Sequence, residues 1–279
     1  MEADFDTDVG LLRALRLDGR ELLAAAPLLC VWRAPTDNDG LELAPAQELK
    51  PMGRWRTWGL DALTRTVDRV RTKETADGHV MTVRARYAGT DPDVPMLQST
   101  TYLLDARGNL TITEDVRVPK HLEDLPRVGV AFAMPGDFEQ LHWLGRGPHE
   151  SYPDRKRGAA IGHFASTVTD EYVPYVMPQE HGGHADTRWF ALTDAGGHGL
   201  HVSSSAPFQF SASHFTAADL TAATHDVELV PRPEVIVHLD AAHRGLGTLS
   251  CGPDTLPRYR VGPGRYRWTW TLTPAASRV

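Results

Sequence analysis

Three segments of the chain combine carboxylates, arginines, histidines and aromatic residues with glycine and proline, a mixture that suits neither a strand nor an ordinary linker. They cover residues 32–39, 143–155 and 178–189. Carboxylate and amide oxygens accept hydrogen bonds from sugar hydroxyls, Arg and His donate to them, and an aromatic ring packs on the apolar face of a sugar. The segments therefore predict a sugar site on loops of a rigid scaffold. The residues expected there are Trp32, Arg33, Asp37, Asn38, Asp39, His149, Glu150, Tyr152, Asp154, Arg155, Glu180, His181, Arg188 and Trp189.

A purely structural role is the alternative for each of these side chains. Asp37, Asn38 and Asp39 could form Asx turns, in which the side chain accepts a hydrogen bond from a nearby backbone N–H. Arg33, Arg155 and Arg188 could pair with carboxylates that fix long loops.

Other site chemistries fit the sequence less well. His181 and His184 are separated by two glycines, a spacing outside the usual zinc patterns, so we expect no metal. Gly145-Arg146-Gly147 is followed at once by Pro148, and no helix opens there as a dinucleotide fingerprint requires. The sequence has neither a phosphate loop nor a nucleophile elbow, so we expect no cofactor.

The scaffold that must carry these loops is predicted from alternation with a period of two. Apolar side chains at 266, 268, 270 and 272 alternate with polar ones, as in a half-buried strand. Residues 81–87 and 128–134 give the same pattern. Asp18-Gly19 predicts a tight hairpin between residues 11–17 and 20–23.

A second hairpin is predicted for residues 97–104 and 110–118, around a loop that contains glycine and asparagine. Helix is scarce: Trp55, Trp58, Leu60 and Leu63 fall near one helical face, and Thr216 can cap a short turn. Because no alternation of strand and helix occurs, we predict an all-β fold, a large antiparallel sandwich in one domain over residues 1–279.

Charge and composition exclude several classes of protein. The formal net charge is −7, and no basic stripe suits nucleic acid. No apolar stretch approaches the 18 residues of a membrane helix, and residues 1–5 do not resemble a signal peptide. Cys30 and Cys251 lie far apart, which fits a reducing, cytoplasmic setting.

Together with Gly245-Leu246-Gly247 and Gly264-Arg265-Tyr266, the three segments resemble the C-terminal domain of family 2 β-galactosidases, which some members carry as a separate small chain. The resemblance extends from about Phe5 to Leu272. The motifs that occur in the family's order are Arg33-Ala34-Pro35 with Asp37-Asn38-Asp39, Tyr152-Pro153-Asp154-Arg155, and Tyr172-Val173-Pro174-Tyr175 leading to Pro178 and Glu180.

This resemblance implies an antiparallel supersandwich of the galactose mutarotase type. It also implies a large partner chain or domain, a (β/α)8 barrel that holds the catalytic glutamates, beside which this chain lends a loop to a shared pocket for galactose or a galactoside. No catalytic residue is then expected in this chain. Alone, it would expose the apolar surface that meets the barrel, and such a patch favours a homo-oligomer.

The sequence departs from the family at two places. The loop at residues 248–253 lacks the tryptophan that walls the sugar site in well-known members, and His181 stands where such members have asparagine. Three other functions stay open. One is a mutarotase-type enzyme that uses His149, His181 or His184 with Glu150 or Glu180. The second is self-contained hydrolysis by Glu150 and Glu180, and the third is a carbohydrate-binding domain without a catalytic partner.

Overall fold

The computed structural model describes residues 1–40 and 46–275, and β-strands are the main regular secondary structure of this part of the chain. The strands are β1 Glu2–Asp6, β2 Leu11–Leu17, β3 Arg20–Glu21, β4 Ala25–Cys30, β5 Thr64–Thr75, β6 Gly78–Ala88, β7 Met96–Asp105, β8 Leu110–Val118, β9 Arg127–Pro135, β10 Gln140–Gly147, β11 Ala160–Thr167, β12 His184–Thr193, β13 Gly199–Ser213, β14 Glu234–His243 and β15 Gly264–Ala275. The α-helices are α1 Pro51–Thr57 and α2 Ala217–Ala222, and 3-10 turns cover Gln47–Leu49, Asp226–Glu228 and Pro257–Tyr259. None of the described helices is long and apolar enough to cross a membrane.

The strands form one large antiparallel sheet and a small one. The large sheet runs β11-β10-β12-β13-β15-β8-β7-β6-β5, and β14, β9 and β4 join it through β13. The small sheet contains β1, β2 and β3. The main apolar core lies between strands of the large sheet. Within it, the ring of Phe132 on β9 lies 6.2 Å from the ring of Trp270 on β15, measured between centroids. The predicted all-β antiparallel architecture is confirmed.

Strand β13 is the branch point of the large sheet. Residues 199–204 pair with β15, whereas residues 209–213 pair with β14. Residues 205–208 pair with neither of these two strands, and Pro207, which has no N–H to donate, is exposed there. The neighbours β14 and β15 therefore diverge from a common strand and leave an opening between them.

The alternation read from the sequence is present in the strands. Met81, Val83, Ala85 and Tyr87 are buried on β6, in agreement with the prediction. Strand β9 is buried on both faces, and Val130, Phe132 and Met134 on one of them belong to the apolar core. The second face carries Arg127, which is fully buried.

Both predicted hairpins form. Asp18 and Gly19 have φ of 51° and 80° between β2 and β3, as a two-residue turn of this kind requires. Gly108 has φ of 77° in the turn between β7 and β8.

The helical predictions have mixed outcomes. Thr216 caps α2, since its hydroxyl oxygen accepts a hydrogen bond from the N–H of Asp219 at 3.1 Å. The helix predicted through Leu63 is shorter than expected. It ends at Thr57, and Gly59, with φ of 69°, turns the chain away before Leu60 and Leu63.

Glu114 interrupts the apolar inner face of β8 and is 2% exposed. Its carboxylate accepts hydrogen bonds from Gln98 Nε2 at 2.9 Å and Thr100 Oγ1 at 2.7 Å. Burial raises the pKa of Glu114 to about 8, although these two hydrogen bonds act in the opposite direction.

Candidate functional site

Arg33 and Asp39 form the fully buried ion pair at the centre of the first polar segment. Arg33 Nε and Nη2 donate to the two oxygens of Asp39 at 3.0 and 2.7 Å. The same oxygen that receives Nε accepts from the N–H of Thr36 at 2.9 Å, which closes the turn. This arrangement is the structural role considered from the sequence, and it fixes the backbone on either side of Asn38.

Arg33 also reaches the C-terminal part of the chain. Its Nη1 donates to the carbonyl oxygen of Arg244 at 2.8 Å. Arg244, itself fully buried, donates to Asp124 at 2.8 Å, Asp254 at 2.7 Å and the hydroxyl of Thr255 at 2.7 Å. Arg244 was not predicted from the sequence, although its position directly before Gly245-Leu246-Gly247 was a signal.

The segment 245–253, which we name the rim loop, is held at its base by two predicted residues. Asp154 accepts from the N–H groups of Leu246 and Gly247 at 2.9 and 2.8 Å. Asn38 donates to the carbonyl oxygen of Gly247 at 2.9 Å and accepts from the N–H of Ser250 at 3.1 Å. The first and second polar segments therefore meet at the rim loop.

Glycine is required at both ends of this attachment. A Cβ added to Gly245 would lie 2.6 Å from the carboxyl carbon of Asp154. Gly247 has φ of 68°, and a Cβ there would lie 2.4 Å from the hydroxyl oxygen of Thr255. Beyond Gly247 the loop is open to solvent, since Thr248, Ser250 and Cys251 are exposed.

An open cleft of about 1240 Å³ lies beside the rim loop. Three predicted residues, Asn38, Asp154 and Arg155, line it together with rim-loop residues and Tyr259. The cleft thus brings an amide, a carboxylate, a guanidinium and an aromatic ring to one surface.

The carboxylate of Glu150 is a hydrogen-bond acceptor for several parts of the second polar segment and its neighbours. Both carboxylate oxygens are hydrogen-bonded: one accepts from Arg155 and the hydroxyl of Tyr175, the other from Tyr152 at 3.2 Å and from the N–H of Gly182 at 2.9 Å. Tyr152 is fully buried. These contacts tie the second polar segment to the third.

Glu180, in the third segment, contacts residues that were not predicted. The Glu180 carboxylate pairs with the buried Arg127 and lies 3.6 Å from His243 Nε2. The Nε of Arg127 lies 3.8 Å from the carboxylate of Asp240. Charged residues in otherwise apolar strands are the signal that could have identified Arg127 and Asp240.

The pKa values in this buried cluster are strongly perturbed. Burial raises the pKa of Asp240 to about 7 despite the nearby Arg127. Burial alone would raise the pKa of Glu180, but Arg127 and His243 hold it well below its usual range. Burial lowers the pKa of His243 to about 4, so that this imidazole is neutral at pH 7.

The remaining predicted residues are spread more widely. His149 and Asp37 are exposed, and the N–H of Asp37 donates to Gln179 at 3.2 Å. Trp32 packs edge-on against Trp55, 6.1 Å between centroids, and so belongs to the base of the first segment.

Arg188 and Trp189 lie on β12. Arg188 donates to the carbonyl oxygen of Asp186, and Trp189 lies 5.3 Å from His201 and 5.7 Å from His163 between ring centroids. None of these contacts involves the rim loop.

The two histidines of the third segment differ in their partners. Both ring nitrogens of the buried His184 are engaged, at 3.1 Å from the carbonyl oxygen of Arg146 and 2.7 Å from Glu171. His181 Nδ1 lies 3.0 Å from the carbonyl oxygen of Gln179. Within residues 1–40 and 46–275, no three His, Cys, Asp or Glu side chains are grouped as metal ligands would be.

Comparison with protein families gives one match over nearly the whole chain. The family described as "Beta galactosidase small chain" matches residues 1–272. A β-galactosidase of Arthrobacter sp. is 32% identical over 263 residues, which are 87% of this chain and 25% of that protein. A β-galactosidase of Vibrio cholerae is 30% identical over 98% of this chain and 26% of that protein. The chain thus spans about a quarter of the length of these relatives.

Solved structures that align with most of this protein have little sequence identity to it. A galactose mutarotase-like protein from Lactobacillus casei aligns with a TM-score of 0.49 at 11% identity, over 98% of this chain and 96% of that one. A galactose 1-epimerase from Lactobacillus acidophilus has a TM-score of 0.49 at 9% identity, over 96% and 90% of the two chains. At these values, no property of either protein is transferred to this chain.

Proposed function

The chain belongs to the β-galactosidase small chain family, and from this membership we propose that it is the non-catalytic part of a β-galactosidase. In this proposal a larger chain or domain, the (β/α)8 barrel, supplies the catalytic carboxylates. This chain presents its rim loop to the edge of the pocket that binds a terminal β-D-galactoside.

The attachment of the rim loop is the observation that carries the proposal. Asn38 and Asp154 reach it from two distant parts of the sequence and hold both its N–H and its carbonyl groups. A loop that is fixed at its base and exposed at its tip can contact a partner in one defined position, which lowers the entropy lost on binding.

The contacts of Glu150 and Glu180 also favour a partner that supplies the catalytic groups. Both oxygens of Glu150 accept hydrogen bonds from this chain, and Glu180 is paired with the buried Arg127. A general acid needs a proton near neutral pH, whereas the pKa of Glu180 is held far below that range. Neither residue has the environment of a glycosidase acid.

Reconstitution tests this proposal. The purified chain is mixed with a barrel-bearing large chain of the family, and hydrolysis of a nitrophenyl β-galactoside is followed. We expect activity only from the mixture. Asp154→Ala and Asn38→Ala should lower kcat/KM of the mixture by on the order of tenfold to a hundredfold, because a displaced rim loop no longer supports the substrate.

Arg157→Ala is the matched control, since Arg157 lines the same cleft and is exposed. It should leave kcat/KM within about twofold of the wild-type value. Hydrolysis by this chain alone that is lost on Glu150→Gln or Glu180→Gln would place the catalytic groups here and overturn the proposal.

A further inference from the structure

Strand β5 is the outer edge of the large sheet and carries a row of cations. Among the described residues it pairs with β6 alone, so the N–H and C=O groups along its other edge have no partner strand. Residues 69–75 are regularly paired with β6, beyond a bulge between Val67 and Arg69. A regular, unpaired edge of this kind can add a strand from another chain.

Side chains along β5 alternate between the two faces of the sheet. Val70 packs against the main apolar core. The alternate residues Arg69, Arg71 and Lys73 therefore project from the opposite, outer face, and all three are exposed. On β6, the exposed Arg84 lies between two buried residues and projects from the same outer face.

These side chains form one patch of positive charge. The patch, which we name the basic edge, comprises Arg69, Arg71, Lys73 and Arg84. An open cleft of about 790 Å³ lies between these side chains, and Thr72 and Thr82 complete its lining. None of the four cationic side chains has a hydrogen bond or an ion pair with another described residue. No basic stripe was predicted from the sequence, because the four cations come together only when β5 and β6 pair.

The charge of the basic edge is not compensated by the carboxylates next to it in the described part of the chain. The Asp68 carboxylate accepts a hydrogen bond from Arg86 at 2.8 Å, and Glu74 belongs to the other face of the strand. Arg69 lies directly opposite Arg84, and like charges in this position destabilise a strand pair. A partner that brings carboxylates to this face would relieve the repulsion.

The geometry of the basic edge selects among anionic partners. Pairing with β5 of a second copy is disfavoured, since cations would then lie opposite cations. A nucleic acid has no alternating N–H and C=O groups to pair with a strand edge, and the net charge of −7 opposes its approach. An extended peptide has both the backbone groups and the repeat, because its alternate side chains recur about every 7 Å, as those of β5 do.

We propose that the basic edge binds an extended acidic segment of a partner protein, which joins the large sheet as a strand beside β5. Carboxylates at every second position of the segment pair with Arg69, Arg71 and Lys73, and Arg84 adds positive charge behind them. The cleft shares no lining residue with the cleft beside the rim loop. This contact therefore differs from the one in the proposed function and requires no barrel.

Fluorescence anisotropy of a labelled peptide titrated with the purified chain tests the proposal. The probe is a short peptide, capped at both ends, in which threonine and glutamate alternate. We expect saturable one-to-one binding that weakens as salt is raised, because the ion pairs are exposed. A peptide of the same composition with its glutamates adjacent to one another should bind at least about fivefold more weakly, since its carboxylates do not match the repeat of the strand.

Methylation of the peptide amides separates strand addition from simple attraction of charge. Successive N–H groups of an extended peptide point to opposite sides. Methylation of one alternating set therefore blocks the side that faces β5, whereas methylation of the other set leaves that side free. We expect binding to be lost with one set and to stay within about twofold with the other.

Variants of the chain locate the contact. Arg71→Glu, at the centre of the basic edge, should raise Kd about tenfold or more. The matched control is Arg117→Glu, which makes the same change of charge at an exposed arginine on the outer face of β8, outside the cleft. It should leave Kd within about twofold of the wild-type value, and both variants should keep a thermal midpoint near that of the wild type.

Three outcomes would overturn the inference: absence of saturable binding of the alternating peptide, equal affinity for the peptide with adjacent glutamates, or equal losses of affinity in Arg71→Glu and Arg117→Glu. Binding that survives methylation of either set and is displaced by tripolyphosphate would also overturn it, because the face would then attract anions in general. None of these measurements involves the large chain, so this inference and the proposed function can fail independently.

Discussion

At the scale of single residues, the polar interior of this protein is organised by buried charge. Arg33 pairs with Asp39, six positions away, and a pair so close in the sequence could be predicted from it. Arg127 and Glu180 are 53 positions apart, and Arg244 and Asp124 are 120 apart. Composition shows which residues could pair over such separations, but only the fold selects the partners. This is why the three polar segments could be predicted, whereas the partners of Arg127, Asp240 and Arg244 could not.

Arg33→Met should destabilise the protein by about 3–5 kcal/mol, because it leaves the carboxylate of Asp39 buried without its partner. The control is Arg86→Met, which removes an ion pair with Asp68 whose side chains are 47% and 41% exposed, and it should cost less than about 1 kcal/mol. Urea unfolding at pH 7 measures both. Equal losses of unfolding free energy in the two variants would show that the buried ion pair stabilises the protein no more than the exposed one.

Glu114→Gln should change how stability depends on pH. The pKa of Glu114 is about 8 in the folded chain against 4.5 as its ordinary value, so that the folded state binds the proton more tightly. The wild type then loses stability as pH rises from about 4.5 to about 8, by at most about 1.4 kcal/mol per pH unit from this group. The glutamine variant keeps an acceptor for Gln98 and Thr100 and does not titrate.

Free energies of unfolding at pH 5, 6, 7 and 8 check this. The stability of the variant relative to the wild type should rise steadily across the series. Because Asp240, His238 and His243 titrate in both proteins, the comparison isolates Glu114, and parallel pH profiles would contradict the assignment.

At the scale of elements, local sequence signals were sufficient to predict the hairpins. They were insufficient to predict the branch of the large sheet at β13. Asp18-Gly19 defines its turn through two adjacent residues, whatever the rest of the chain does. The change of partner along β13 depends on β14 and β15, which come later in the sequence. An alternating pattern is the same whichever strand lies beside it, so the branch could not be predicted from periodicity.

Gly19→Ala should destabilise the first hairpin by about 1–2 kcal/mol, because Gly19 has φ of 80°. Gly158→Ala is matched in space, since an added Cβ would meet no atom within 4 Å at either position, but Gly158 lacks the positive φ. It should stay within about 0.5 kcal/mol of the wild type. Thermal unfolding distinguishes strain from crowding, and equal effects would exclude strain as the cause.

Asp154→Ala should release the base of the rim loop. The amides of Leu246 and Gly247 lose a charged acceptor, and hydrogen bonds of this kind contribute about 1.5–3 kcal/mol. Their hydrogen exchange should therefore accelerate by on the order of tenfold to a hundredfold in mass spectrometry or NMR. Arg157→Ala should leave both rates unchanged, and unchanged protection in Asp154→Ala would mean that other contacts hold the loop.

At the scale of the whole molecule, twelve strands among the described residues share one hydrogen-bonded sheet, and Trp268 packs against both of the larger apolar clusters. We therefore expect a single domain that unfolds in one step: tryptophan fluorescence and far-ultraviolet circular dichroism should give the same urea midpoint. Two separated transitions would show that the parts of the sheet on either side of β15 unfold as independent units.

The position of β15 has a consequence for the order of events during synthesis. This strand comes last in the described sequence but lies in the middle of the sheet, between β13 and β8, and joins Leu272 to Leu110 across 162 positions. Until residues 264–275 have left the ribosome, strand β8 has no neighbour on its inner edge, and residues 199–204 of β13 have none on theirs. Contacts so distant in sequence form slowly. The nascent chain must therefore hold two unjoined sheet edges in solution, and during that interval association with another copy competes with folding.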